Sequence, residues 1–425
     1  MLNAGQTLSL TIEKPAAGGR MIARADGQVV LVSGAIPGEQ VTARVERVGR
    51  GVAYAEVVTV EQPSADRRAV SADPLCGGCL YAHITYARQL EVKGLILEDA
   101  FGRIGRLTLP APVAVSGSPE DGYRMRSRLH VRGGRVGFFR EGTHDLCDAR
   151  ETRQLRVDTC DTLDRLAAGL RSLGMAGVRE LEVSENIDAS QRVVHLETSA
   201  SISPRLMSTL GHSDGLTGLT LSVPEARGAA RTAVVAGDPH VVDLLDIDGH
   251  AVSLRRHVLA FFQGNRFLLS SLVSHVVSHV SPGDRVIDLY AGTGLFSMAA
   301  GVARGAQVMA VEGDRTGAAD LAVNAAATAG AVKAMHEGVE TFVARQHNTP
   351  NVLIVDPPRT GMSKEALDGA IGLKAPVVAY VSCDVATLAR DARKFVDAGY
   401  TLERLVGFDL FPNTPHVESV ATFRR

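Results

Sequence analysis

Tryptophan is absent from this chain of 425 residues, and aromatic residues make up only 4% of it; neither shortage excludes a function by itself. Cysteine is also scarce. The five present, Cys76, Cys79, Cys147, Cys160 and Cys383, are an odd and thinly spread set that does not read as a disulfide framework. No run approaches the ~18 uninterrupted apolar residues of a membrane span. The first residues, MLNAGQTLSLTIEK, lack the apolar core of a secretory signal. An excess of charge is missing too: 45 Lys and Arg stand against 47 Asp and Glu, a net charge of −2. Any nucleic-acid contact must therefore come from local patches rather than a basic surface overall. These absences point to a cytoplasmic protein without membrane association. What remains is an ordinary globular composition, 45% hydrophobic and 22% charged, long enough for two to four domains.

Residues 1–62 alternate apolar and polar positions in short runs, as in Thr7–Ile12, Gln28–Val32 and Gln40–Val45, with Gly18-Gly19, Asp26-Gly27 and Pro37-Gly38 between runs. That pattern predicts a small antiparallel β barrel of OB-like type. Residues 63–108 read as a connection carrying Cys76-Gly-Gly-Cys79, followed by a helical pattern over Gln89–Ile104. Residues 109–256 are mixed strand and helix, an α+β domain. From 257 to 425 strands and helices alternate: Arg285–Tyr290, Gln307–Glu312, Val332–His336, Val352–Asp356 and Val377–Ser382 are strands. Regular alternation predicts βαβ units and a parallel, Rossmann-like sheet. Leu402–Leu410 and Val417–Arg424 are expected to add an antiparallel hairpin at its edge. The fold class is thus α/β, with a barrel before it and an α+β domain between.

Chemistry concentrates at the ends of these strands. In VIDLYAGTGLF a buried strand runs into Gly292-Thr293-Gly294 and then a helix, and Glu312 ends the next strand 20 positions after Gly292. Glycines let the backbone approach a ligand at the carboxyl end of a sheet, and an acid there suits ribose hydroxyls. With no third glycine, an adenosyl ligand such as S-adenosyl-L-methionine fits better than a dinucleotide. Asp356 ends a strand before the stiff, donor-poor turn Pro357-Pro358-Arg359. Cys383 lies where a strand becomes a helix, a place that favours a thiolate, although position alone also allows a packed core thiol. Glu418 interrupts an apolar strand and is either exposed at an edge or a positioned general base. One cysteine, one base and one methyl donor suffice to methylate C5 of uracil through a thiol adduct at C6. Tyr123–Arg140 carries Arg124, Arg126 and Arg128 on alternate positions and no acid, a row able to track RNA phosphates.

In this order, Gln263 in FFQGN, DLYAGTG, VEGD, VDPPRTGM, YVSCD and FPNTPHVE resemble the motifs of RNA 5-methyluridine methyltransferases. The first 60 residues are similar to the TRAM barrel of the ribosomal-RNA members. The resemblance implies Cys383 as nucleophile, Glu418 as base and Asp356 beside the uracil or the cofactor. It implies Gln263, Tyr290 and Glu312 at S-adenosyl-L-methionine, beside the turn at Gly292 and Gly294 that already reads as cofactor-binding; Arg359, with the row Arg124, Arg126 and Arg128, is expected toward RNA. The expected partner is ribosomal RNA, with transfer RNA as the alternative, and the expected state is a monomer. Two rivals rank behind: 5-methylcytidine formation, which wants a second cysteine where Pro357-Pro358-Arg359 stands, and a non-catalytic RNA-binding or assembly protein on the same fold. Leu295 and Gly338 depart from the family pattern, each standing where relatives carry asparagine. The ribosomal-RNA relatives also hold a 4Fe–4S cluster on four cysteines. Cys76, Cys79 and Cys147 are the expected ligands here, with Cys160 as a further candidate, although Val70 replaces the first ligand and Cys147 falls before the usual place.

Overall fold

The computed structural model describes residues 2–70, 72–172, 177–198, 215–224 and 230–425. The alternating N-terminal runs form a six-stranded sheet in the order Thr7–Thr11, Gln40–Val48, Val52–Gln62, Gln28–Ser33, Met21–Ala25 and Lys14–Pro15. Period-two patterning sets its inner face. In Gln40–Val48, Val41, Ala43 and Val45 are buried while Arg44 and Glu46 face water. They meet Val30, Val32, Ala53 and Ala55 in one core. One pairing, Gln28–Ser33 with Val52–Gln62, runs parallel rather than antiparallel.

A helix, α1 (Tyr86–Ala100), follows the CGGC segment. It begins three residues earlier than its apolar pattern predicts, at a Thr85 cap whose carbonyl accepts the Gln89 N–H at 3.0 Å; the buried Gln89 side-chain amide donates to the Tyr81 and Ile84 carbonyls. The central region holds a seven-stranded sheet ordered Leu146–Asp148, Arg135–Phe139, Arg126–Arg132, Val178–Glu185, Arg192–Thr198, Gly218–Pro224 and Ala230–Gly237. Helix α2 (Val157–Ser172) places Cys160, Leu163, Leu166 and Leu170 at helical spacing against Leu181, Val183 and Leu196 of that sheet.

The C-terminal sheet has eight strands: β1 (Val115–Ser116), β2 (Arg285–Leu289), β3 (Gln307–Glu312), β4 (Val332–His336), β5 (Val352–Val355), β6 (Val377–Ser382), β7 (Thr401–Phe408) and β8 (Glu418–Arg424). Their order is β4-β3-β2-β5-β6-β8-β7-β1. The strands β2 to β6 pair in parallel, and β8 runs antiparallel to both β6 and β7. The expected terminal hairpin is present, but β8 lies inside the sheet and β1 covers β7, so neither terminal strand is the free edge. The β5 and β6 strands are buried throughout, as continuous apolar runs of a parallel sheet should be. Each Val, Ile or Leu so buried contributes about 1.5–3 kcal/mol by leaving water.

The segment 86–116 is not a bare connection. Leu97, Ala100 and Phe101 pack into the core beneath β5 and β6, while Val92 and Ile96 reach the barrel core. Lys93 joins the same arrangement through a fully buried ion pair with Asp409, 2.5 Å. No helix among the described residues is long and apolar enough to cross a membrane.

Candidate active site

The order of strands reverses beside β2, which has β3 on one side and β5 on the other; ligands of such sheets bind at that point, at the carboxyl ends. After Leu289 the chain turns through Tyr290 (φ 63°), Gly292 (φ 57°) and Gly294 (φ 97°). A tyrosine in the left-handed region is strained, and such strain gathers at functional loops. Glycine suits 294 because a φ of 97° is strained for any L side chain; a Cβ there would also have to push aside the end of Leu321, 2.8 Å away. Glu312 is tied to this loop: its carboxylate accepts the Gly292 N–H at 2.7 Å and the Asp314 N–H at 2.5 Å. Its orientation is therefore fixed before any ligand arrives. Leu295, the first residue of a short helix, α3 (Leu295–Met298), packs into the core. Asn324 reaches across from another helix to hold the loop, donating to the Thr293 carbonyl at 2.9 Å. Gly338 caps the helix Val339–Arg345 with extended backbone and accepts the Phe342 N–H at 3.1 Å.

Two buried atoms beside this loop, Asp288 Oδ1 and Thr293 Oγ1, have no protein partner. Burial pushes the Asp288 carboxyl up to about 7, against the Ser297 hydroxyl that donates to its other oxygen at 2.5 Å; Asp356 and Glu312 add to the rise. Asp288 escaped sequence reasoning, although it bears the signal that marked Glu418, an acid within an apolar strand. Orphaned donors and acceptors beside an open glycine turn fit the hydroxyl and charged groups of an adenosyl ligand. Gln263 is buried close by and donates to Asp356 Oδ2 at 3.4 Å.

Asp356 follows β5 directly. Burial raises its carboxyl to about 7, Gln263 opposes the rise, and Glu312 reinforces it. Cys383 follows β6 and is partly exposed. Ser382 pairs with Ser419 in the antiparallel register of β6 and β8, so Cys383 and Glu418 are the next residues of the two strands beyond that pair. Glu418 is buried, not edge-exposed. Its carboxyl is pushed well above the usual range, first by burial and then by Asp356, with Arg359 pulling it down. The cysteine, the glutamate and the aspartate thus converge from three strand ends, with the Arg359 guanidinium beside them.

The expectation of an acidic thiol at the helix start is corrected. Burial first, then Glu418, push the Cys383 thiol up to about 11, while Arg359 pulls it down. Nor is the sulfur the group that caps the helix. Helix α4 (Val385–Asp397) is capped by Asp384, whose Oδ1 accepts the Thr387 N–H at 2.8 Å. The carboxylate of Asp384, not the sulfur, takes the positive end of the helix.

The arginine row divides. Arg126 is ion-paired with Glu182 on the neighbouring strand, and Arg128 lies 4.0 Å from the same carboxylate. The run itself contains no acid, but its partner strand supplies Glu182 and, opposite His130, Glu180. Arg128 is exposed, yet it lines a cavity of about 190 Å³ with Glu180, Glu182, Glu197 and His195, a poor setting for phosphate. Arg124 donates to Gln154 Oε1 at 2.6 Å and lies over the rings of Phe138 and Phe411. Phe411 belongs to the loop between β7 and β8 that leads to Glu418.

Cys76 and Cys147 form a disulfide, 71 positions apart, a single bridge rather than the framework that the odd cysteine count argues against. Cys79 and Cys160 are free and buried. Among the described residues no three metal-ligating side chains are grouped to hold a metal ion. The expected cluster ligands Cys76, Cys79 and Cys147 therefore do not form a thiolate set, because two of the three sulfurs are bonded to each other.

Residues 2–58 match the TRAM domain family, and residues 214–425 match the tRNA (Uracil-5-)-methyltransferase family. The 23S rRNA (uracil(1939)-C(5))-methyltransferase of Halomonas elongata is 32% identical over 447 residues, covering 97% of this chain and 88% of that protein. An RNA methyltransferase of Corynebacterium efficiens is 30% identical over 447 residues, covering 100% and 96%. In fold, the chain is similar to the tRNA (uracil-54, C5)-methyltransferase of Pyrococcus abyssi, solved with S-adenosyl-L-homocysteine. The TM-score is 0.76 at 23% identity, over 97% of this chain and 99% of that one. The relatives' full-length coverage, the glycine turn at β2 and the inserted antiparallel β8 agree: this chain belongs to the RNA uracil-C5 methyltransferase family and carries an N-terminal TRAM domain.

Proposed function

We propose that the protein methylates C5 of a uridine in 23S ribosomal RNA through a covalent adduct on Cys383. The observation that carries this reading is the convergence of Cys383, Glu418 and Asp356 from three adjacent strand ends beside the Gly292–Gly294 turn. Gln263, Tyr290, Asp288, Gly292, Gly294 and Glu312 would hold S-adenosyl-L-methionine, which when bound supplies an electrophilic methyl group. Uracil C5 is a weak nucleophile. Addition of the Cys383 thiolate to C6 makes C5 enolate-like and able to take that methyl. C5 then carries both the methyl and its original proton. The Glu418 carboxylate removes this proton, the C5–C6 double bond re-forms, and the Cys383 thiolate leaves. Arg359 stabilises both anions, and Asp356 is placed to orient the ring. Arg124 and Arg359 line the RNA approach; Arg126 and Arg128, paired with Glu182, belong to it only at its margin. The target uridine must leave any helix to reach the cysteine.

Ribosomal RNA is preferred over transfer RNA because the full-length relative of Halomonas elongata acts on 23S rRNA at 32% identity, whereas the transfer-RNA enzyme of similar fold is 23% identical. The division of labour follows the chain: 1–62 as RNA-binding barrel, 63–108 as connector, 109–256 as RNA platform, 257–425 as methyltransferase domain. Mapping of 5-methyluridine in RNA from cells with and without the protein tests this. Loss at one 23S rRNA uridine is expected. Loss confined to transfer RNA would reassign the substrate, and no change at any uridine would remove the proposal.

A further inference from the structure

The CGGC segment and the strand Leu146–Asp148 meet in one buried place in the core beneath the central sheet. Cys76 and Cys147 are bonded there, and Cys79 sits one tight turn from Cys76, its N–H donating to the Cys76 carbonyl at 2.8 Å. A four-iron cluster requires four sulfur ligands around one centre. Val70 occupies the place of one; of Cys76, Cys79, Cys147 and the further candidate Cys160, all in the same buried core, two are bonded to each other, no three metal-ligating side chains among the described residues are grouped to hold a metal, and the space over Gly78 is filled. A Cβ at residue 78 would lie 1.9 Å from Gln154 Nε2. The surroundings are Leu129, Phe138, Leu155 and Leu163, an apolar packing around sulfur.

The segment is also held in place without any metal. The Gly77 N–H donates to the Phe139 carbonyl at 3.3 Å, the Glu141 N–H to the Leu75 carbonyl at 2.8 Å, and Arg140 pairs with Asp73 at 2.5 Å. A few residues on, the Tyr81 N–H donates to the Asn413 carbonyl at 2.8 Å, in the loop that leads to Glu418. The same segment therefore touches the edge of the central sheet and the approach to the active-site strand.

We propose that Cys76 and Cys147 constitute a metal-free, reversible disulfide site that takes the place of an iron–sulfur cluster and fastens the CGGC segment to the central sheet. Its formation removes two protons and two electrons from the two thiols. A low-molecular-weight disulfide such as glutathione disulfide accepts them and leaves as two thiols; reduction is the reverse exchange. Cys79 stands outside the bond, free and buried in the same apolar core.

The test uses full-length protein produced with added iron and sulfide and purified without oxygen. Iron and acid-labile sulfide are measured first. The protein is then equilibrated across glutathione buffers, alkylated, denatured and mapped by mass spectrometry. The expected result is no stoichiometric iron or sulfide. A Cys76–Cys147 peptide should rise from absent to complete toward the oxidising end in a two-electron transition, and persist in Cys79→Ser. Stoichiometric iron and sulfide would overturn the proposal. So would the absence of that peptide at every glutathione ratio, or a dominant Cys76–Cys79 link.

Discussion

Ser382 faces Ser419 across the antiparallel pair of β6 and β8, and the residue beyond each is a member of the reacting pair, Cys383 on one strand and Glu418 on the other. A one-residue slip of register would turn one of the two to the opposite face. The pairing of β6 with β8 therefore places nucleophile and base together.

Replacing Glu418 by Gln removes the acceptor for the C5 proton but keeps the shape. The first half of the reaction should proceed and the second should stall. Turnover is expected to fall by about 10²–10⁴-fold, while a covalent protein–RNA species accumulates on a denaturing gel in the presence of S-adenosyl-L-methionine. Loss of turnover without such a species would mean that Glu418 acts before the adduct forms.

The pH dependence has a definite sign. The reaction uses Cys383 and Glu418 as anions, and burial holds both groups protonated beyond their ordinary ranges, Cys383 to about 11. The rate constant kcat/KM should therefore rise with pH through neutrality into the alkaline range. Arg359 lowers both groups, so Arg359→Ala should shift the rise to higher pH as well as slow the reaction at neutral pH. A lower rate with the profile unmoved would limit Arg359 to RNA binding.

Asp288 offers a stability test. Its carboxyl titrates near 7 in the folded chain, against about 3.9 when unfolded. A group raised on folding makes the folded state bind the extra proton, so stability declines as pH climbs from the unfolded value to the folded one. Asp288→Asn should flatten that decline and leave the variant more stable by roughly 1–3 kcal/mol above neutral pH. Urea unfolding at acid and alkaline pH measures it; an unchanged slope between the two would show that Asp288 does not carry the effect.

Lys93 and Asp409 are both fully buried, 2.5 Å apart, and pin α1 to the loop before β8. Lys93→Met strands the carboxylate in the interior and should cost about 3–5 kcal/mol. The double variant Lys93→Met, Asp409→Leu should recover most of that loss. Thermal unfolding of the three proteins compares them; equal losses in single and double variants would show that packing, not the stranded charge, is responsible.

Much of the site was legible because a parallel sheet writes its strands as apolar runs and breaks them where a ligand binds. Gly292, Glu312, Asp356 and Cys383 all stand at such breaks. Ionisation was not legible. The thiol's state is set by burial and by Glu418, Arg359 and Asp356, which come from separate stretches of the chain. Arg126 looked free because its partner, Glu182, lies 56 residues further along the chain on a paired strand. The Lys93–Asp409 pair joins residues 316 apart, beyond any local pattern. The disulfide was missed for a similar reason: an odd count excludes a framework, not a single bridge.

The central claim is that the Cys383 sulfur bonds to C6 of the target uracil. The most direct measurement is peptide mapping of the protein after incubation with S-adenosyl-L-methionine and substrate RNA containing 5-fluorouridine, since fluorine at C5 blocks the removal that frees the cysteine. The account predicts a stable nucleotide adduct on the peptide containing Cys383, absent from Cys383→Ala. An adduct on Cys79 or Cys160, or methylated product released by Cys383→Ala at the normal rate, would contradict it.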